Sequence, residues 1–239
     1  MSVESKPNNL NLMKNNSNLD VPGHPVYEPE RWNKNKYVRK SHNCYSYALN
    51  IIDDELAGRC KRIITKGNKT TKTRKNNNNG KKNNISNNNK SKNQNNTNQN
   101  NQNNKKNKKK ADCGSLKPQP GAFSKTIKGS GKYNCKKVTF RMIKDNPVMK
   151  PIQRGVPCPD NYYLIAMVCI PDGSDYHFYR QDASGLWSHK NGSNVARNTD
   201  DSGNLIHDPE FADRGRYTVF CGFYTVPNDS QFKRMSSRL

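Results

Sequence analysis

The sequence predicts an α+β domain in which a helix with a cysteine near its start packs on an antiparallel β-sheet, the whole interrupted by a disordered insertion. Three observations lead there. Apolar residues between Ser41 and Gly58 recur at helical spacing, segments after Tyr162 are apolar or alternating as strands are, and the tract from Lys66 to Lys110 follows neither pattern.

Residues 1–21 are polar, rich in Asn and expected to be disordered, and the aromatic arm from Val21 to Lys40 reads as extended, with three prolines excluding a helix over its first half. In SHNCYSYALNIIDDELAG, residues Tyr45, Ala48, Leu49, Ile52 and Leu56 share one helical face, which predicts a single helix. Ser41 or Asn43 would cap it, because a short oxygen-bearing side chain accepts a free N–H of the first turn, and Gly58 would end it. Cys44 then lies in that first turn.

Between Lys66 and Lys110 stand 14 Lys or Arg, 19 Asn and no Asp or Glu. Ordering a residue costs roughly 1–2 kcal/mol, and this tract has almost no apolar surface to offset it. The chain's formal net charge of +23 is concentrated there: the other 194 residues hold 28 basic and 19 acidic groups. The folded part is moderately basic, and the tract Lys66–Lys110 reads either as drift in an AT-rich genome, since Asn and Lys codons are A-rich, or as a polybasic arm making weak nonspecific nucleic-acid contact.

After a turn-rich stretch, LKPQPGAFS, a short helix over Asn134–Lys144 would bury Val138, Met142 and Ile143. YYLIAMVCIP reads as a central strand covered on both faces. DYHFYRQDASGLWSHK alternates around a turn at Asp182–Gly185 and predicts a hairpin, and RYTVFCGFYTVP predicts a last strand ending at Pro227. The expected domain comprises 22–65 and 111–228 with three or four antiparallel strands, and a polar tail follows at 229–239.

Seven scattered cysteines with no CxxC pair argue against a disulfide framework and a zinc site, so no metal and no cofactor are expected. No apolar run approaches the roughly 20 residues that span a bilayer, and MSVESKPNNLNL lacks the basic-then-apolar pattern of a signal peptide. The expectation is a soluble protein, cytoplasmic, with no membrane partner.

Chemistry concentrates on few residues. A thiolate is the nucleophilic form of cysteine, and a helix N-terminus stabilises it by roughly 0.3–1 kcal/mol. His177 opens the predicted hairpin and could reach a neighbouring helix start, and His189 lies on the returning strand. If the chain reverses through Asp182, Ala183 and Ser184, the two histidines are directly opposite; a two-residue loop offsets them by one. In the first register one imidazole takes the thiol proton while the other orients it. Asp208 and His207 are a rival source of the orienting group, and His42 lies two residues before the cysteine.

The cysteine in NCYSYAL, the histidine in DYHFYR and the second histidine in WSHK together resemble the NlpC/P60 branch of the papain-like cysteine hydrolases. The resemblance runs over about Ser41 to Gly58 and Tyr162 to Gly192. It implies a papain-like fold with Cys44 as nucleophile, His177 as general base and acid, and His189 as the residue orienting His177. Here Asn43-Cys44-Tyr45-Ser46 replaces the family's usual Asp-Cys-Ser-Gly, and bulky Phe178 and Tyr179 follow the histidine. An Asn tract inside a globular core is also similar to proteins of giant DNA viruses, which would place the chain in host cytoplasm or a virion.

The expected function is that of a cysteine-dependent amidase, peptidase or acyltransferase, acting on an amide, ester or peptide substrate through an acyl-enzyme on Cys44. The competing expectation is a non-catalytic structural or packaging protein with a basic nucleic-acid-binding tract. A third is a carbohydrate- or peptide-binding module using exposed Trp32, Tyr37 and Trp187. Neither GxGxxG nor GxxxxGK[ST] occurs, which excludes the common phosphate-cradling loops.

Overall fold

Six strands form one antiparallel sheet in the computed structural model, which describes residues 21, 23–78, 112–126 and 131–228. They are β1 (Lys150–Ile152), β2 (Tyr162–Cys169), β3 (Tyr176–Gln181), β4 (Trp187–Lys190), β5 (Ala196–Arg197) and β6 (Val219–Pro227), in the spatial order β1-β6-β2-β3-β4-β5. The two strands not foreseen, β1 and β5, are edge strands of three and two residues, too short to show a period. The apolar run at 162–169 is central, and its alternate residues enter different cores. Tyr163, Ile165 and Met167 join Tyr45, Val138 and Met142 on one face, while Ala166 and Val168 join Tyr179, Trp187 and Ile206 on the other.

The helices depart from expectation in three places. The N-terminal arm holds α1 (Pro29–Asn33) and α2 (Lys36–Ser41): Pro29 takes the first helical position, where its missing N–H costs nothing, and the Asn35 side chain caps α2. The single helix expected over Ser41–Gly58 is two, α3 (Cys44–Ala48) and α4 (Asp54–Asn78). Asn50 breaks it with φ +53°, a conformation that Asn tolerates better than most residues. Asp53 then starts the next helix by accepting N–H groups of Glu55 and Leu56. Gly58 therefore lies inside α4, and the periodicity crossed a break it could not register.

α4 also carries helix through Asn78, into the tract expected to be disordered from Lys66, as propagation from a formed helix is far easier than nucleation. The remainder of that tract lies outside the described residues, as do residues 1–20 and the tail 229–239. The second helix, α5 (Cys135–Asp145), is capped by Asn134 and buries Val138 and Met142.

Two disulfides overturn the reading of the cysteines. Cys60 pairs with Cys113 and Cys135 with Cys221, with Cα atoms 5.4 and 5.2 Å apart, inside the usual range. Their separations of 53 and 86 residues carry no local motif, so only tertiary closure brings them together. A bulge aims one of these sulfurs. Met167 pairs with Gly222 but Val168 with Phe220, leaving Cys221 as the extra residue. Phe220 and Phe223 can then both face one core while Cys221 packs against the other.

Candidate active site

The Asn43 side chain holds the start of α3 from two sides. Its Oδ1 accepts the Ser46 N–H at 3.2 Å, and its Nδ2 donates to the Pro118 carbonyl at 2.8 Å, tying the helix start to the segment around 117–119. Cys44 follows it, buried at 6% exposure. The thiolate expected there is not stabilised: burial first, then the Asp175 carboxylate, push the thiol up to about 12, against N–H groups of Phe178 and Tyr45 that donate toward the sulfur. A helix of five residues has little aligned dipole to set against desolvation.

His177 and His189 do meet, in neither of the two registers expected. The connection spans 182–186, closed by Asp182 N–H donating to the Leu186 carbonyl, and pairs His189 with Tyr179. His177 is thus two residues off, which keeps both rings on one face. His177 Nε2 lies 2.8 Å from His189 Nδ1, with Tyr179 and Tyr217 packed against the His177 ring.

The far side of His189 decides which nitrogen carries a proton. Its Nε2 is 3.0 Å from the Thr199 carbonyl and 3.0 Å from Arg197 Nε, a pure donor, so it can serve only one at a time. When Nε2–H donates to Thr199, Nδ1 must accept from His177 Nε2–H, and His177 Nδ1 keeps the lone pair a base needs. When Arg197 donates, the relay reverses. Asp201 accepts from Arg197 Nη2, which leaves Nε free to donate to His189, so the geometry admits both states.

Cys44 and His177 meet less directly. The cysteine shares a buried cluster with Tyr176 and Phe178, the residues flanking His177 that point to the helical face, while the His177 ring lies on the opposite face. They come together where β4 has ended: both line a cavity of about 180 Å³ with Asn43, Lys117, Gln119, Asp175, Asn191 and Gly192. No hydrogen bond joins the thiol to an imidazole among the described residues, so the expected chain Cys44–His177–His189 is present only in its second link. A larger cavity of about 420 Å³ lies alongside and shares Lys117 and Gln119 as walls.

The rival residues are otherwise engaged. Asp208 pairs with Arg154 at 2.6 Å, and His207 is exposed. His42 is structural: Nδ1 contacts the Val38 carbonyl at 3.1 Å and Nε2 accepts the Asp53 N–H at 2.8 Å. Trp32 and Trp187, expected to be exposed, are 1% and 4% exposed, which removes the aromatic binding face.

Lys190 went unread in the sequence, where a lysine at a strand end signals solvent. Its Nζ donates to the carbonyls of Arg39, His42 and Gly192, each at 2.7 Å, fastening the 191–192 turn beside Cys44. Burial presses its ammonium down to about 7, yet three acceptors match the three N–H groups of the charged form.

Burial likewise holds both site histidines neutral. His177 is well below its ordinary value and His189 falls to about 4, in each case chiefly by desolvation. An imidazole depressed in the fold is protonated first in the unfolded chain, so its stabilising effect is complete above about pH 6.5 and is lost as pH falls toward about 4. For His189 this amounts to roughly 3 kcal/mol. Denaturant midpoints measured across that window should fall with acid, and a His177→Gln/His189→Gln double variant should show a shallower fall; an equal slope would contradict the buried neutral pair.

No described helix is long and apolar enough to cross a membrane. No family model matches the chain, and no solved structure matches it. Over 74 residues it is 55% identical to "Insoluble matrix shell protein 1" of Ruditapes philippinarum, a stretch covering 30% of this chain and 49% of that protein. The chain thus spans about half the length of the curated relative it matches.

Proposed function

We propose that this protein is a cysteine-dependent acyl-transfer enzyme, a hydrolase or acyltransferase of papain-like fold, acting on an amide, ester or peptide through an acyl-enzyme on Cys44. One observation carries the reading: His177, hydrogen-bonded through Nε2 to His189, lines the same small cavity as a cysteine at a helix start. The resting pair is a neutral thiol and a neutral imidazole. Substrate entering the cavity would bring sulfur and His177 Nδ1 together, as catalytic hydrogen bonds commonly tighten only in the complex. His177 then takes the thiol proton as sulfur attacks the carbonyl carbon, and returns it to the departing amine or alcohol. His189 holds the tautomer, and the Tyr45 and Phe178 N–H groups are available to the developing oxyanion.

The test uses p-nitrophenyl acetate on the full chain, with the adduct mapped by mass spectrometry. Acetyl is expected as a thioester on Cys44; acetylation confined to Cys158 or to lysines would sink the reading.

A second reading, a non-catalytic structural component, is favoured by the shell matrix relative and by the two disulfides. Structural disulfides belong mainly to oxidising compartments, which on either reading favours a working place outside the reducing cytosol expected from sequence. A structural component would keep its assembly behaviour unchanged in a Cys44→Ala variant.

A further inference from the structure

A second cluster of sulfurs lies apart from the candidate site. Cys135 opens α5, Cys169 closes β2 and Cys221 is the bulged residue of β6, and their three Sγ atoms all lie within 4.8 Å of one another. Cys135 and Cys221 are joined as a disulfide, while Cys169 is a free thiol 3.6 Å from Cys221 Sγ. Thiol packing alone does not require such convergence from three elements distant in sequence.

Two chemistries fit a thiol beside a disulfide, and the shape of the triangle separates them. Exchange needs the three sulfurs nearly in line, which would set the outer pair more than about 5 Å apart, given a bond of about 2 Å. The outer pair here is closer. Three thiolates bound to one zinc ion at about 2.3 Å sit roughly 3.8 Å from each other, which this cluster reaches when the bonded pair separates.

We infer that Cys135, Cys169 and Cys221 form a site for one thiophilic closed-shell cation, Zn²⁺ or Cu⁺, available only when the Cys135–Cys221 disulfide is reduced. A small dithiol supplies the two electrons and two protons, becoming a cyclic disulfide and leaving two thiols beside Cys169. The cation then displaces three thiol protons and takes three sulfurs, with a fourth position left to solvent on the partly exposed side of Cys221. The bond and the cation exclude each other, so the site reports redox state.

The experiment reduces the full chain with a dithiol, removes the reductant without oxygen, adds Zn²⁺ and maps iodoacetamide labelling by mass spectrometry. Zn²⁺ should protect Cys135, Cys169 and Cys221 together while Cys60, Cys113 and Cys158 label as before, and the oxidised chain should take up no zinc. A Cys169→Ser variant should weaken zinc at least about tenfold and expose Cys135 and Cys221. Labelling of the three at the same rate with and without zinc, persistent protection in Cys169→Ser, or equal zinc uptake by the oxidised chain would each overturn the proposal. Protection is read on the unsubstituted chain, so a variant that fails to fold leaves the test intact.

Discussion

His177→Gln is expected to slow acetylation of Cys44 by p-nitrophenyl acetate roughly 10²–10⁴-fold, the range for loss of a general base, and Cys44→Ala to abolish it at that position. Glutamine keeps a group able to hydrogen-bond His189, so folding is the lesser casualty. The pH profile gives a second readout. A protonated His177 cannot accept the thiol proton, and burial holds its transition well below the ordinary imidazole range, so the rate should persist into weakly acidic solution. His189→Asn, altering a positioning residue, should move the acid limb as well as lower the rate. Equal rates for the parent and His177→Gln would remove the base from the mechanism.

The largest loss of stability should come from Asp182→Ala. Arg180 and Asp182 are both 1% exposed; the guanidinium donates through Nε and Nη2 to Asp182 Oδ1 at 3.0 and 2.7 Å, and through Nη1 to Asn50 Oδ1 at 3.0 Å. Its Cζ lies 4.4 Å from the Tyr47 ring centroid. Removing the carboxylate strands a buried positive charge, which costs about 3–5 kcal/mol, or roughly 10–15 °C in melting temperature for a domain of this size. An Arg180→Met/Asp182→Leu double variant removes both charges and should recover much of the loss, because the pair's net contribution is far smaller than the cost of breaking it. Melting curves of the three proteins decide this, and a double variant no better than Asp182→Ala would refute the stranded-charge account.

Legibility in the sequence followed the range of the interaction. The central strand, α5 and the hairpin came from short-range pattern and turn chemistry, and each sits close to its expected bounds. The break at Asn50 did not, because Ile52 and Leu56 keep phase with Tyr45 across a left-handed residue that periodicity does not register. The pairing of His177 with His189 was readable as chemistry, but its offset depended on a five-residue connection. The cysteine's acidity was misread for a different reason: it depends on how deeply the helix start is buried, a property of the closed domain. The disulfides, Lys190 and the wall at 117–119 all depend on segments distant in sequence, and no local pattern encodes them.

The Cys60–Cys113 bond also bears on what this gene can tolerate. It fixes the two ends of the intervening chain 5.4 Å apart at Cα, whatever lies between them. Lengthening a loop normally costs stability as the logarithm of its length, because its ends must be found and held. Once the bond has formed, that closure is covalent, and codon-repeat expansion or contraction in the tract no longer alters how firmly its ends are held. Such a locus can drift in length between individuals without a stability penalty, and a reporter domain spliced into it should leave the melting temperature of the oxidised protein nearly unchanged.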